Sequence, residues 1–437
     1  MKRLGNMEVD NHELKIGGLA VSELTKKFGT PLYVIDQKDL TDRIHTFLAQ
    51  FKSNTFGTHI IYASKAFTNL YMAQLVSKYG LYVDVVSGGE LYTALKAGVD
   101  PKKIYFHGNN KLPKEIDDAV KAGVGCFVLD NEVEYEWLTE TAEREGKKIR
   151  VLLRVNPGIE AHTHEYIQTA KNDSKFGVSI FDQQTLPFIK RIIENKHLHF
   201  AGLHAHIGSQ VFEEASFFKE VDEMIKYAKD VEQTFAIKMD ELNLGGGFGV
   251  YYTEEDKPFE LSQFLKRYIQ HIESTVAELD ITPNTISIEP GRSLINASGS
   301  TLYTIGAVKK TMAGYPYIFV DGGMTDNPRP ILYQAKYEAA IANKMDEAAT
   351  QTYRIAGKCC ESGDVLIKEV DLPKAETGDT LVIPSTGAYT YSMSSNYNRI
   401  ERPAVVFVED GQAQVAVKRE TYEDLIRNDE MIKWKEL

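Results

Sequence analysis

Short apolar runs end near Lys65, Ser87, Gly108, Asp130, Asn156, Gly208, Gly247 and Gly291, and between them apolar residues recur at helical spacing. Met72, Leu75, Val76 and Tyr79 sit at i, i+3, i+4 and i+7, with Gly80 where a left-handed residue ends a helix. Phe217, Val221, Met224, Ile225 and Ala228 share one face, as do Leu261, Phe264, Leu265, Tyr268 and Ile272. Gly98, Gly123 and Gly146 close three more helices. Eight strands alternating with helices over about 250 residues predict a (β/α)8 barrel, an α/β fold with its active site on the C-terminal strand ends. A doubly wound open sheet shows the same alternation. The count of eight favours the barrel.

On either side the pattern changes. Residues 1–27 show little periodicity, Gly29-Thr30-Pro31 punctuates, and 32–35 reads as a strand. Residues 39–51 read as a helix, with Leu40, Ile44, Phe47 and Leu48 on its apolar face. Beyond Gly299 the apolar runs are short and separated by Gly and Pro, as at 301–308, 317–320 and 380–383. Residues 404–408 and 413–417 flank Asp410-Gly411, a hairpin signal. A second, mostly β domain is expected there.

Composition narrows the function. The 437 residues are more than one ordinary domain uses, and 43% hydrophobic with 26% charged residues is ordinary for a globular protein. A net charge of −12 without any basic block argues against a nucleic-acid partner. No run is long and apolar enough to span a bilayer and the N-terminus lacks a signal-like apolar core, so a cytoplasmic protein without a membrane partner is expected. Three cysteines make no disulfide framework: Cys126 reads as a core residue, and the adjacent Cys359 and Cys360 as packing or reactive.

In a barrel the chemistry collects at the strand ends. Strand one offers Lys65; two, Asp84 and Ser87-Gly88-Gly89-Glu90; three, His107; five, Arg154. Strand six offers His204, His206 and Ser209, seven Gly245-Gly246-Gly247-Phe248-Gly249, and eight Glu289-Pro290-Gly291-Arg292. A lysine beside a buried strand either reaches out to water or serves as a nucleophile that forms an imine. A glycine triplet is often only a turn, but it can bare N–H groups for a phosphate. His204 and His206 on one strand face could be half a metal site, yet barrel metallohydrolases carry such a pair on the first strand, so no metal is expected. Together, an imine-forming lysine, a phosphate nest, a flat imidazole and a carboxylate for a pyridine nitrogen are what pyridoxal phosphate requires of a protein. Glu289 adds the reaction class, because a carboxylate keeps that nitrogen protonated and the ring a strong electron sink, as loss of CO2 needs.

From about Gly29 to Arg402 the sequence resembles the barrel-type, pyridoxal-phosphate-dependent decarboxylases of basic amino acids. The resemblance is carried by Tyr62-Ala63-Ser64-Lys65-Ala66, His107-Gly108-Asn109-Asn110-Lys111, Arg154-Val155-Asn156-Pro157 and Ser174-Lys175-Phe176-Gly177. It continues through His206-Ile207-Gly208-Ser209-Gln210, the glycine nest, Glu289-Pro290-Gly291-Arg292 and Asp326-Asn327-Pro328-Arg329-Pro330-Ile331-Leu332-Tyr333. Cys360-Glu361-Ser362-Gly363-Asp364 and Gly387-Ala388-Tyr389 complete it. It implies that Lys65 holds the cofactor, His206 stacks on its ring and Glu289 meets its nitrogen. Asp84, Ser209, Gly246, Gly247, Gly291, Arg292 and Tyr389 would line the cofactor site, Arg292 and Tyr389 also reaching the substrate. Cys360 would donate a proton and Glu361 bind the distal amine, both from the partner chain of a homodimer with shared active sites. Arg329 and Tyr333 would grip a distal carboxylate. The implied reaction is decarboxylation of meso-2,6-diaminopimelate to L-lysine, with carboxynorspermidine, ornithine or arginine as alternative substrates. It further implies a barrel over 36–297, with 1–35 joining 298–437 in the β domain. Cys359 acquires no role.

Overall fold

The computed structural model of the chain describes residues 1–159 and 174–432. It divides into one unit spanning Thr41–Ile295 and another formed by Met1–Leu40 with Asn296–Leu437.

The first unit is a closed parallel barrel. Its strands are β1 (Gly57–Ala63), β2 (Tyr82–Val85), β3 (Ile104–Phe106), β4 (Cys126–Leu129), β5 (Ile149–Asn156), β6 (Leu198–His204), β7 (Glu241–Asn243) and β8 (Thr285–Ile288). Each pairs with the next, and β8 returns to β1. Strands covered on both faces carry continuous apolar runs, and all four residues of β4 are buried, Cys126 among them.

Local signals explain the helices between them, α1 (Leu70–Lys78), α2 (Gly88–Lys96), α3 (Pro113–Ala122), α4 (Glu132–Arg144), α5 (Thr185–Glu194), α6 (Glu214–Phe235), α7 (Leu261–Glu278) and the single turn α8 (Arg292–Ile295). Asn69, Ser87 and Asn131 each accept an otherwise orphaned N–H at the start of α1, α2 and α4. Gly123 ends α3 in the left-handed conformation, φ +80°. The predicted stripe of α6 is buried, and Phe217 packs its ring 5.1 Å from Phe248 and 5.4 Å from Phe264. Burying one such ring contributes about 1.5–3 kcal/mol. The helix Gln37–Gln50 departs from expectation at Leu48, which is exposed. Leu40, Ile44, Phe47 and Phe51 form the buried stripe, and Leu48 falls about 70° from its middle, on the edge that meets water.

In the second unit Leu32–Asp36 is a strand between two others. It pairs antiparallel with Gly299–Lys309, Ile35 opposite Gly299, and parallel with Ala404–Glu409, Leu32 opposite Ala404. Asp410 and Gly411 turn the hairpin to Gln412–Val417 with φ of +49° and +74°. Residues 1–27, featureless in pattern, hold the strands Met7–Asp10, Glu13–Ile16 and Leu19–Ala20 and the helix Val21–Phe28. Elements this short bury only a few residues each, such as Leu14, Ile16, Val21 and Leu24, too few to set a period. Among the described residues no helix is long and apolar enough to cross a membrane.

Candidate active site

Lys65 does not end the strand itself. β1 stops at Ala63, and Lys65 stands exposed on the 3-10 turn Ser64–Ala66 that follows. Three contacts fix that turn: Ala63 N–H to Pro290 O (3.2 Å), Ser64 N–H to Asp84 Oδ1 (3.2 Å) and Tyr62 Oη to Phe67 O (2.6 Å). Gly291 is required beside it, since a Cβ there would lie 2.8 Å from that of Ala63. Asp84 is buried, and burial raises its pKa against the pull of His107 and Lys65. Burial, aided by Asp84, also pushes the half-buried Glu90 up to about 7, although Val86 N–H donates to it (2.7 Å).

The glycine triplet is not three bare N–H groups. Gly245 N–H donates to Asn243 Oδ1 (3.0 Å) and Gly246 N–H to His206 Nδ1 (3.2 Å). Cβ atoms on Gly245, Gly246 and Gly247 would lie 2.4, 2.2 and 2.3 Å from the carbonyl oxygens of Ala205, Glu289 and Gly208. These glycines let β7 close against its neighbours. His206 is half-buried, and burial, with the Lys65 ammonium nearby, holds its pKa well below the ordinary value, so its ring is neutral. Arg292 Nε and Nη2 donate to Ser209 Oγ at 3.3 and 3.1 Å, and Nη1 donates to Tyr252 Oη. A serine oxygen that already accepts from a guanidinium keeps its own O–H to donate outward, which suits an anion such as phosphate.

Glu289 has the densest surroundings. Asn243 Nδ2 donates to its Oε1 (2.7 Å), His204 Nε2 lies 3.1 Å from Oε2, and His107 Nε2 lies 2.9 Å from Oε1. The His107 contact is a close charge contact rather than a well-aligned hydrogen bond. Burial alone would raise the carboxyl's pKa, but His107 and His204 hold it well below the usual carboxylate range. His204 pairs with Glu289 and its ring sits 4.9 Å from that of His107, so it forms no couple with His206. The ligand atoms of His107, His204 and Glu289 lie within 4.8 Å of one another, a spacing that a metal could accept. With Asn243 Nδ2 donating to Oε1 and His204 Nε2 at hydrogen-bond distance from Oε2, the group reads as a clamp on the carboxylate.

The remaining candidates lie in the other unit. Arg329 opens the short helix Arg329–Tyr333 with its side chain buried and Nη1 donating to Tyr337 Oη (2.9 Å); Tyr333 ends that helix, half-buried. Cys359 is buried, with its thiol pushed up to about 11 chiefly by burial, whereas Cys360 and Glu361 are exposed. That separates the two readings left open for the cysteine pair: Cys359 packs and Cys360 is accessible. Asp364 accepts the N–H groups of Met324 (2.7 Å) and Cys359 (2.9 Å), and Asn398 Oδ1 accepts that of Cys360 (2.7 Å). Tyr389 is half-buried with φ +59°.

Sequence reasoning missed Asn243 and Tyr252. Asn243 carried a usable signal, a polar residue in a three-residue strand that is otherwise a barrel core; Tyr252, on a loop, carried none.

Residues 38–296 match the family model for the pyridoxal-dependent decarboxylase, pyridoxal binding domain. The chain is 47% identical over 416 residues to a diaminopimelate decarboxylase of Bacillus subtilis, covering 95% of each chain. It is 43% identical over 420 residues to that of Staphylococcus aureus, covering 96% of this chain and 98% of the other. Its fold is similar to that of the M. jannaschii diaminopimelate decarboxylase solved with L-lysine, with a TM-score of 0.90, 32% identity and 98% of both chains covered.

Proposed function

The chain belongs to the pyridoxal-dependent decarboxylases, and from that premise we propose how its residues divide the work of converting meso-2,6-diaminopimelate to L-lysine and CO2. The observation that carries the reading is the buried Glu289 carboxylate, held by His107, His204 and Asn243 in the barrel that also bears Lys65. Pyridoxal phosphate, when bound, supplies an electron sink for the pair of electrons left by the departing CO2.

The residues fit that group. Lys65 Nζ, exposed on its turn, would carry it covalently. Neutral His206 would present a flat face to its ring without adding charge. Glu289, kept an anion by its neighbours, would hold a proton on the ring nitrogen. Ser209 and Arg292, with Gly246, Gly247 and Tyr389, would hold the phosphate. Asp84 would order the turn that bears Lys65 through Ser64.

Substrate selection falls to the second unit. Arg329 and Tyr333 would bind the distal carboxylate and Glu361 of the partner subunit the distal ammonium. Cys360 of the partner subunit would hold, at Sγ, the proton delivered to the reacting carbon. The exposure of Cys360 and the pinning of its backbone by Asn398 support that assignment. Ornithine and arginine lack the distal carboxylate and would forgo the contact that Arg329 offers.

The test is CO2 release and product identity across diaminopimelate, carboxynorspermidine, ornithine and arginine, with wild type and Arg329→Ala. Wild type is expected to favour diaminopimelate, and the variant to lose about 2–5 kcal/mol of transition-state binding on that substrate alone. Equal losses on all substrates would remove Arg329 from its role. Mixing Lys65→Ala with Cys360→Ala protein tests the shared site. With subunit exchange verified, recovery towards roughly a quarter of wild-type activity is expected from the one intact site in each mixed dimer.

A further inference from the structure

We propose that His107, His204 and Asn243 are positioning residues for Glu289: they keep its carboxylate an anion and fix where it points, and Asn243 also locks it to the glycine nest. The proposal rests on the reading above that Glu289 serves the cofactor's ring nitrogen.

The argument starts from cost. A carboxylate removed from water takes up a proton unless hydrogen bonds or charges stabilise its ionised form. Glu289 is buried, and an ionised carboxylate can only accept, so every polar atom facing it must bear hydrogen. The Asn243 amide does so by nature. His204 does so through Nε2–H, which leaves Nδ1 as a bare acceptor, buried and without a partner among the described residues. A charged His204 would instead bury an unpaired N–H, so the ring stays neutral, in line with a pKa lowered to about 4 chiefly by burial. Asn243 and His204 therefore supply donors without supplying a charge.

The other charges nearby agree. Asp84 on β2 and Glu220 on α6 both feel Glu289, and both are pushed toward their protonated forms chiefly by burial. Arg154 near the end of β5 is destabilised as a cation by burial, against which Asp130, Glu289 and Asp84 favour its charge. The ionised Glu289 thus stands near acids whose burial favours their protonated forms.

Asn243 has a second bond. Its Oδ1 accepts Gly245 N–H (3.0 Å), while Glu289 N–H donates to Gly245 O (2.6 Å). Gly245 holds φ +59°, a conformation that other residues adopt at a cost. A single amide side chain thereby sets the spacing between the carboxylate and the nest.

Two measurements test this. In full-length protein without added pyridoxal phosphate, the 13C-carboxyl resonance of Glu289 reports its ionisation directly. It is expected to be ionised at neutral pH in wild type. Its titration is expected to move up in Asn243→Leu and His204→Phe, and to return in His204→Asn, which restores a donor. A protonated Glu289 in wild type, or an unmoved titration in folded variants, overturns the clamp. In protein reconstituted with cofactor labelled with 15N at the pyridine nitrogen, the wild-type shift is expected to be that of a protonated nitrogen. Asn243→Leu is expected to move it towards the unprotonated value and weaken cofactor binding about 10–100-fold, the range for outer-shell partners of a bound group. An ionised Glu289 beside an unprotonated ring nitrogen in wild type would overturn the reading of Glu289 itself, and with it the purpose assigned to the clamp.

Discussion

Glu241 opens β7 at the floor of the barrel and Glu289 follows β8 at its rim, and the two carboxylates are answered by different partners. Glu241, fully buried, accepts from Tyr105 (2.9 Å to each oxygen) and Ser287 and lies 2.8 Å from Arg150 Nη1. Its charge is cancelled by a permanent cation and its lone pairs are filled. Glu289 meets an amide and two imidazoles and no arginine or lysine at bonding distance among the described residues. The floor site is complete in itself, whereas the rim site has charge left for a ligand to answer. The comparison teaches that the identity of the partners, rather than depth of burial, separates a structural charge from a working one.

The contrast can be broken at either end. Glu289→Gln is expected to lower kcat/KM for diaminopimelate on the order of 10²–10³-fold, the scale of one lost electrostatic contact to developing charge. Its melting curve should stay nearly in place. Arg150→Met should do the reverse: denaturant unfolding is expected to show a loss of about 3 kcal/mol, the lower end for unpairing a buried charge, because Arg150 keeps 29% of its side chain in water. Activity per folded molecule should not change. If Arg150→Met lowers kcat with stability intact, the floor is part of the catalytic machinery and the division fails.

A third carboxyl sharpens the comparison with a smaller effect. Glu220 on α6 is fully buried and neither oxygen has a partner among the described residues. Burial, with Glu289 adding to it, raises its pKa well above the ordinary carboxyl value. The folded protein then binds a proton that the unfolded chain releases, so this group costs stability increasingly as pH rises above the unfolded carboxyl range. Glu220→Gln is expected to stabilise by about 1–3 kcal/mol at neutral pH and by little in acid. Melting at pH 4 and pH 8 checks the sign; a variant less stable at pH 8 would mean that Glu220 is paired through water.

The barrel was legible because its signals are local. Apolar runs ended where Lys65, His107 and Arg292 stand, and glycines such as Gly123 closed helices as their conformation requires. The site was legible in its residue types, since Lys65, His206 and Glu289 each state a chemistry. Partners across strands were not legible. Asn243 and Glu289 are 46 residues apart, and nothing local marks their bond. Likewise His204 and His206 looked like a couple on one strand, but β6 ends at His204 and each imidazole found its partner on another element. The glycine nest looked open from sequence because two of its N–H groups are taken by side chains that only folding brings there.

The strand Leu32–Asp36 imposes a timetable on synthesis. All five of its residues are buried, and one of its two edges is filled only by Ala404–Glu409, which leaves the ribosome roughly 370 residues later. At ~5–20 residues per second the gap is on the order of 20–75 s. During that time the whole of Thr41–Ile295 has emerged and can close its ring of strands without waiting. The early strand cannot, and it waits as an apolar segment with an unfilled edge, the kind of surface that chaperones bind and that aggregates recruit.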